Sequence, residues 1–232
     1  RQRQMCIRDR YMTPAASYRV LVANNRFTFG NFQRDPETAV AHRFSTGFEA
    51  GAAWLLPVTS RLSFKVGVQY NYTRYMLTAS KYMPELTTIT LNSYQRIQRS
   101  TNLRNTNGFF PEELANETSQ LSVPIGLEYT AASSPKLSFV ISGTAQPTYL
   151  LYGSGYMATA DYKNYIKAPD LLRTVNLNTA FETFVRWNAG AFQMQLGPQL
   201  RYQLFSNAEG RYPIREHLVD YGFKIGLIKT LR

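Results

Sequence analysis

The feature that most constrains this chain is a two-residue alternation of apolar and polar side chains, sustained over unusually long runs. In RLSFKVGVQYNYTRYM, Leu62, Phe64, Val66, Val68, Tyr70 and Tyr72 share one parity, and Ser63, Lys65, Gly67, Gln69, Asn71 and Thr73 share the other. Successive strand side chains point to opposite faces, so the segment predicts a strand with one apolar, aromatic face and one small, polar or charged face. The pattern recurs from Arg43 to Leu56, Leu121 to Thr130, Leu137 to Gln146, Leu177 to Trp187, Phe192 to Leu204, and Asp220 to Leu227. Those are seven strands. An eighth is expected over residues 17–31, where Tyr18, Val20 and Val22 share a parity that Phe27 and Phe29 do not. Either a bulge at Asn24-Asn25 or a break between two short strands accounts for the switch.

The connections alternate as well. Tight ones run from Pro57 to Ser60, Ala132 to Pro135 and Asn188 to Gly190, and long ones cover residues 78–118, 153–173 and 206–217. In a meander this gathers the tight turns at one end and the long loops at the other, the asymmetry of membrane barrels with short periplasmic turns and long extracellular loops. Counting back from a periplasmic C-terminus places both termini inside and makes the strand number even. The expected fold class is all-β, an antiparallel up-and-down transmembrane barrel of about eight strands.

Soluble barrels alternate too, so the choice turns on which face meets lipid. The run from Arg61 to Met76 exceeds the ~9–11 residues a tilted strand needs to cross a bilayer. The apolar parity is almost free of charge. Aromatic side chains are placed as two girdles: Tyr70, Tyr72 and Tyr75 at one rim, Trp54 and Trp187 at the other, with Tyr129, Tyr202 and Tyr221 on the same outward parity. A lipocalin-like calyx would need a Lys/Glu-rich exterior, and the polar parity is too poor in charge for that. The mean hydropathy of −0.31 is compatible with a barrel, because half of each strand faces away from lipid.

Residues 1–10, RQRQMCIRDR, resemble a translated adaptor sequence, so we divide the chain into a foreign tail at 1–10 and an N-terminally truncated barrel domain at 11–232. Without Arg1, Arg3, Arg8, Arg10 and Asp9, the net charge falls from +11 to +8. Cys6 is the only cysteine, so the remainder offers no disulfide or thiol chemistry. The basic residues are scattered, with no nucleic-acid signature. A basic surface facing lipopolysaccharide or anionic lipid is the expected use of the charge, and nucleic acid is not an expected partner.

The polar parity carries Arg43, Lys65, Arg186, Arg201 and Lys224 against Glu49, Glu128, Glu182 and Asp220. An eight-stranded lumen is just wide enough for side chains to fill, and buried charges must be paired. A structural salt-bridge plug is expected, with a narrow channel or solute transporter as the alternative. A diffusion porin needs ~16 strands.

The tail GPQLRYQLFSNAEGRYPIREHLVDYGFKIGLIKTL, with LSVPIGLEY and FKVGVQYNYTRY before it, resembles the outer-membrane β-barrel domain family of Gram-negative bacteria. The resemblance covers roughly residues 40 to 231 and implies an eight-stranded barrel similar to the transmembrane domain of outer-membrane protein A, inserted by the barrel assembly machinery. In some relatives the barrel follows an N-terminal segment, and a missing N-terminus is expected here. Lys229-Thr230-Leu231-Arg232 departs from the terminal aromatic residue that many such barrels carry.

Some small outer-membrane barrels are enzymes. His217, in REHLVDYG, has Glu216, Asp220 and Ser206 near in sequence, which makes a Ser/His/acid set for a deacylase-like reaction conceivable. The stronger expectation is a rim histidine bonded to loop groups, and His42 is read the same way. Two histidines alone make a weak metal site, and no cofactor motif occurs. In the loop at 78–118, Pro111-Glu112-Glu113 is expected to start a short helix, and the loop is the expected functional surface. The expectation is therefore a non-catalytic membrane anchor that presents surface loops.

Overall fold

In the computed structural model, the described residues are 7–24, 45–81, 85–90, 96–101, 110–158, 165–190, 192–210, 212 and 214–230. The strands are β1 (Ile7–Ala23), β2 (Ser45–Pro57), β3 (Leu62–Lys81), β4 (Glu85–Thr90), β5 (Arg96–Thr101), β6 (Phe110–Ser122), β7 (Ile125–Ser133), β8 (Leu137–Gly153), β9 (Tyr156–Ala158), β10 (Tyr165–Lys167), β11 (Val175–Ala189), β12 (Phe192–Gln203) and β13 (Ile214–Thr230). Nine of them form one antiparallel sheet that closes on itself, with β1 paired to both β2 and β13. Because β6 and β7 share a single place in the ring, the barrel has eight strand positions. Closure leaves no edge strand in the ring. No helix among the described residues is long and apolar enough to cross a membrane.

The shared place explains why residues 121–130 read as one strand. β6 pairs with the Gln69–Lys81 half of β3, and β7 with its Leu62–Val66 half. Pro124 has no N–H to give the ladder, so the strand parts there. The gap is bridged by Gly67 N–H to Pro124 O (3.0 Å) and Val123 N–H to Pro147 O (2.9 Å). Parity runs through the break: Ser122, Pro124 and Glu128 face in, while Leu121, Val123, Ile125 and Leu127 face out.

Tight and long connections fall at opposite ends. Val58 and Thr59 N–H groups both reach Leu62 O, and Ser134 N–H reaches Leu137 O. Gly190 takes a φ of +73°, a left-handed conformation that glycine adopts without steric cost, at the third tight turn. Glycine also lets neighbouring strands approach. A Cβ on Gly126 would lie 2.0 Å from Gly143 O, and one on Gly197 2.0 Å from Thr183 O.

Several expectations are corrected. The first strand starts at Ile7, ten residues before the expected start, so Ile7–Arg10, which we set aside, form the start of β1 and pair with both β2 and β13. The strand ends at Ala23. Asn24 donates from Nδ2 to Gly210 O (3.1 Å) and Tyr212 O (3.0 Å). Residues 25–44, with Phe27, Phe29, His42 and Arg43, lie outside the described residues. The loop at 78–118 is much shorter than expected, because β3 continues to Lys81 and β6 starts at Phe110. Pro111, Glu112 and Glu113 are strand and not helix: Ser80, Ala79 and Thr78 hold them in register. Between the two strands, β4 and β5 pair as a separate hairpin.

Candidate functional site

The lumen is the most chemically distinctive region of the molecule. Parity turns the expected ions inward from six different strands, and the barrel is narrow enough for their side chains to meet. Lys65, Glu49, Glu128, Glu182, Arg201, Asp220 and Lys224 are each at most 4% exposed. Glu182 accepts from Lys65 Nζ (3.1 Å) and Lys224 Nζ (2.8 Å). Lys65 also lies 3.5 Å from Glu128, whose second oxygen accepts from Arg186 Nη2 at 2.7 Å. A second group centres on Arg201, which reaches Glu49 at 3.0 Å and donates from Nε to Asp220 at 2.7 Å. Ser17 donates to the other Asp220 oxygen.

Tyr11 and Gln69 join the two groups. Gln69 and Gln199 both donate to Glu49 Oε2, at 2.9 and 2.6 Å. Tyr11 donates its hydroxyl to Gln69 (2.7 Å), and its ring lies 3.9 Å beneath Lys224 Nζ. A cation over an aromatic face is held by the ring quadrupole. Each of these seven ions thus has an oppositely charged partner within 3.5 Å, the condition under which burial of charge is tolerated.

Of the expected luminal ions, all but Arg43, which lies outside the described residues, fall into this network. The sequence reading missed Asp9, Tyr11 and Arg19, and named Glu216 only as a companion of His217. Asp9 is fully buried and accepts from Gln195 Nε2 at 2.8 Å; it was missed because residues 1–10 were set aside. Tyr75 is a correction. It is not a girdle residue, since its odd position in β3 continues the inward parity of Asn71 and Thr73, and it is 5% exposed. Its hydroxyl donates to Glu216 (2.9 Å) and accepts from Asn116 Nδ2 (2.6 Å), beside Arg19, which lies 3.4 Å from Glu216. The parity of FKVGVQYNYTRY already carried that signal.

The other girdle residues face outward. Trp54, Tyr129 and Trp187 are exposed near the tight-turn ends of their strands, and Tyr202 is exposed near the long-loop end of β12. Tyr70 and Tyr72 are half-buried on the outer face of β3, where Phe48 packs against both at ring distances of 6.1 and 5.8 Å. Tyr221 is exposed but sits in the middle of β13, away from either rim.

The Ser/His/acid set does not assemble. His217 takes the outward parity of β13, while Glu216 and Asp220 take the inward one, so the strand itself separates them. The His217 ring stacks on Tyr202 at 6.1 Å with planes 3° apart. Its Nδ1 lies 3.1 Å from Gln203 O, an acceptor only, so Nδ1 carries the hydrogen. Ser206 Oγ instead accepts the backbone N–H groups of Ala208 and Glu216. Among the described residues, no three His, Cys, Asp or Glu side chains are grouped to hold a metal ion.

No family model and no curated protein matches the chain. Among solved structures it is similar to Neisserial surface protein A, at 9% identity over 96% of this chain and 97% of that one, with a TM-score of 0.44. It is similar to outer membrane protein AlkL in lipid bilayers, at 9% identity over 99% and 91%, with a TM-score of 0.44. It is also similar to the outer membrane protease OmpT of Escherichia coli, at 8% identity over 98% and 97%, with a TM-score of 0.40. The closed ring, its apolar exterior and its paired interior ions give this chain the architecture of an eight-stranded antiparallel transmembrane β-barrel.

Proposed function

We propose that the protein is an integral outer-membrane barrel that anchors and presents its long loops at the cell surface, without catalysis. Its tight turns and both termini face the periplasm, lipid and lipopolysaccharide surround the wall, and the barrel assembly machinery inserts it. The observation that carries this reading is the continuous luminal network from Arg186 through Glu128, Lys65, Glu182 and Lys224 to the group around Arg201. A lumen filled by mutually paired ions leaves no wide aqueous path, unlike the larger porin barrels. The outward turn of His217, away from Glu216 and Asp220, supports the reading without a hydrolytic set among the described residues.

Planar-bilayer recording tests the closed lumen. The protein is expected to give no discrete openings, and regular openings would replace the anchor reading with the channel one. Lipid A isolated from cells expressing the protein or H217A is expected to be identical in acylation. A deacylated product formed only by the unsubstituted protein would establish an enzyme. Recovery of the folded barrel from the aqueous phase without detergent would remove the membrane reading.

A further inference from the structure

On the outward face of β13, the side chains run Arg215, His217, Val219, Tyr221, Phe223, Ile225, Leu227 and Lys229. Five apolar residues separate bases at the two ends. At ~3.3 Å per residue and a tilt of ~40°, the apolar stretch is about 20 Å tall, near the ~25 Å band of membrane barrels. Arg215 and His217 therefore stand where the band meets the long-loop rim. An open cleft of about 270 Å³ lies there, bordered by Arg173, Arg215, His217, Leu204, Phe205 and Glu209. We propose that this cleft seats the phosphate-bearing headgroup of an outer-leaflet lipid, with Arg173, Arg215 and His217 on the phosphate and the acyl chains lying down the wall below. The proposal rests on the membrane reading given above.

Three observations carry it. The first is position: the bases sit at headgroup level, and the exposed Leu204 and Phe205 (41% and 50%) offer an apolar shelf beside them. An amphipathic ligand fits that juxtaposition, whereas a soluble anion has no use for the shelf.

The second is preorganisation. Two loops are locked together at this point by Arg173 N–H to Asn207 O (2.8 Å), Glu209 N–H to Leu171 O (2.8 Å) and the bridge between Leu172 and Ala208. Arg173 Nε donates to Ser206 O (3.0 Å), and its guanidinium lies 5.7 Å from the Phe205 ring. That anchoring aligns the side chain and leaves the terminal nitrogens as donors for a ligand. His217 is likewise fixed by Tyr202 and the Gln203 carbonyl, so Nε2 is the ring nitrogen available to the cleft, and it donates to a phosphate oxygen in the imidazolium form.

The third is charge and size. Two guanidinium groups face one carboxylate, Glu209, which favours an anion. A cleft at the lower edge of the ~300–1,000 Å³ range of small-molecule sites takes a headgroup and leaves the chains outside. Arginine also matches the geometry of phosphate in a bidentate way.

The test uses the full chain folded in zwitterionic detergent micelles, with folding of every variant checked by its β-sheet circular dichroism. Lipid A, a bis-phosphorylated glycolipid, is titrated in, and the imidazole signals of the two histidines are followed by NMR. The His217 signals are expected to shift saturably with lipid A and to stay unmoved with the same lipid after dephosphorylation. R215Q and R173Q are each expected to weaken the affinity about tenfold, while K229Q at the opposite rim changes it less than twofold. Equal shifts with dephosphorylated lipid, equal loss in K229Q, or an equal response to inorganic phosphate alone would overturn the proposal. A chain that folds without detergent would instead sink the membrane reading beneath it, so the two failures are told apart.

Discussion

The two faces of the same strands handle cations in opposite ways. Inside, Lys65 and Lys224 are fully buried, and they share one carboxylate, Glu182. Outside, the cations of β13, Arg215 and Lys229, stand at its two ends, and the stretch from Val219 to Leu227 between them is apolar. A strand cannot choose both environments for one residue, so parity assigns each side chain to a medium before packing begins. The lumen then answers a charge with an ion pair, whereas the wall answers it by displacement towards water and headgroups. Burial of charge on one face and its exclusion from the other follow from the same cost of leaving a charge unpaired in a low-dielectric medium.

Three experiments test that contrast. The largest effect is expected from E182A, which strips two buried lysines of their shared carboxylate. Removing one partner of a buried ion pair costs about 3–5 kcal/mol, read as a loss of unfolding free energy in denaturant titrations of the micelle-folded barrel. An effect under 1 kcal/mol would mean that the lumen is wetter than its side-chain packing implies. Next is F223K, in the middle of the apolar stretch of β13. A lysine at the mid-plane of the lipid face costs about 2–4 kcal/mol; measured in vesicles, the cost should shrink when lysine is placed at Val219 or Leu227 instead. A flat profile with depth would break the assignment of the outer face to hydrocarbon. The smallest effect belongs to the rim pair of Arg74 and Glu117, 3.3 Å apart with side chains 50% and 32% exposed. A double-mutant cycle there should give about 0–1 kcal/mol. Coupling as large as that at Glu182 would erase the distinction between lumen and rim.

What was legible in the sequence follows the same division. The inward set from Glu49 to Lys224 could be assigned because every member lies inside a long, unbroken alternation. Tyr75 was misplaced because its aromatic character was weighed above its parity; packing obeys parity, since a strand side chain cannot turn to the other face. The helix expected at Pro111-Glu112-Glu113 rested on local preferences that the register with β3 overrides. Tyr11 and Arg19 were missed because the first strand has no clean apolar alternation: Arg10, Pro14 and Ala16 stand on its outward side. Only its two neighbours in the closed ring fix its position.

The alternation by itself determined that the chain is a series of long strands with one apolar and one polar face, because side-chain direction in a strand has a period of two whatever the strand pairs with. It also determined which ions would share a face. Which of those ions meet, that Glu182 serves two lysines while Arg201 serves two carboxylates, and that His217 is parted from Glu216 and Asp220, was decided only by closure. Closure sets the stagger between strands far apart in sequence, and a narrow lumen turns that stagger into particular contacts.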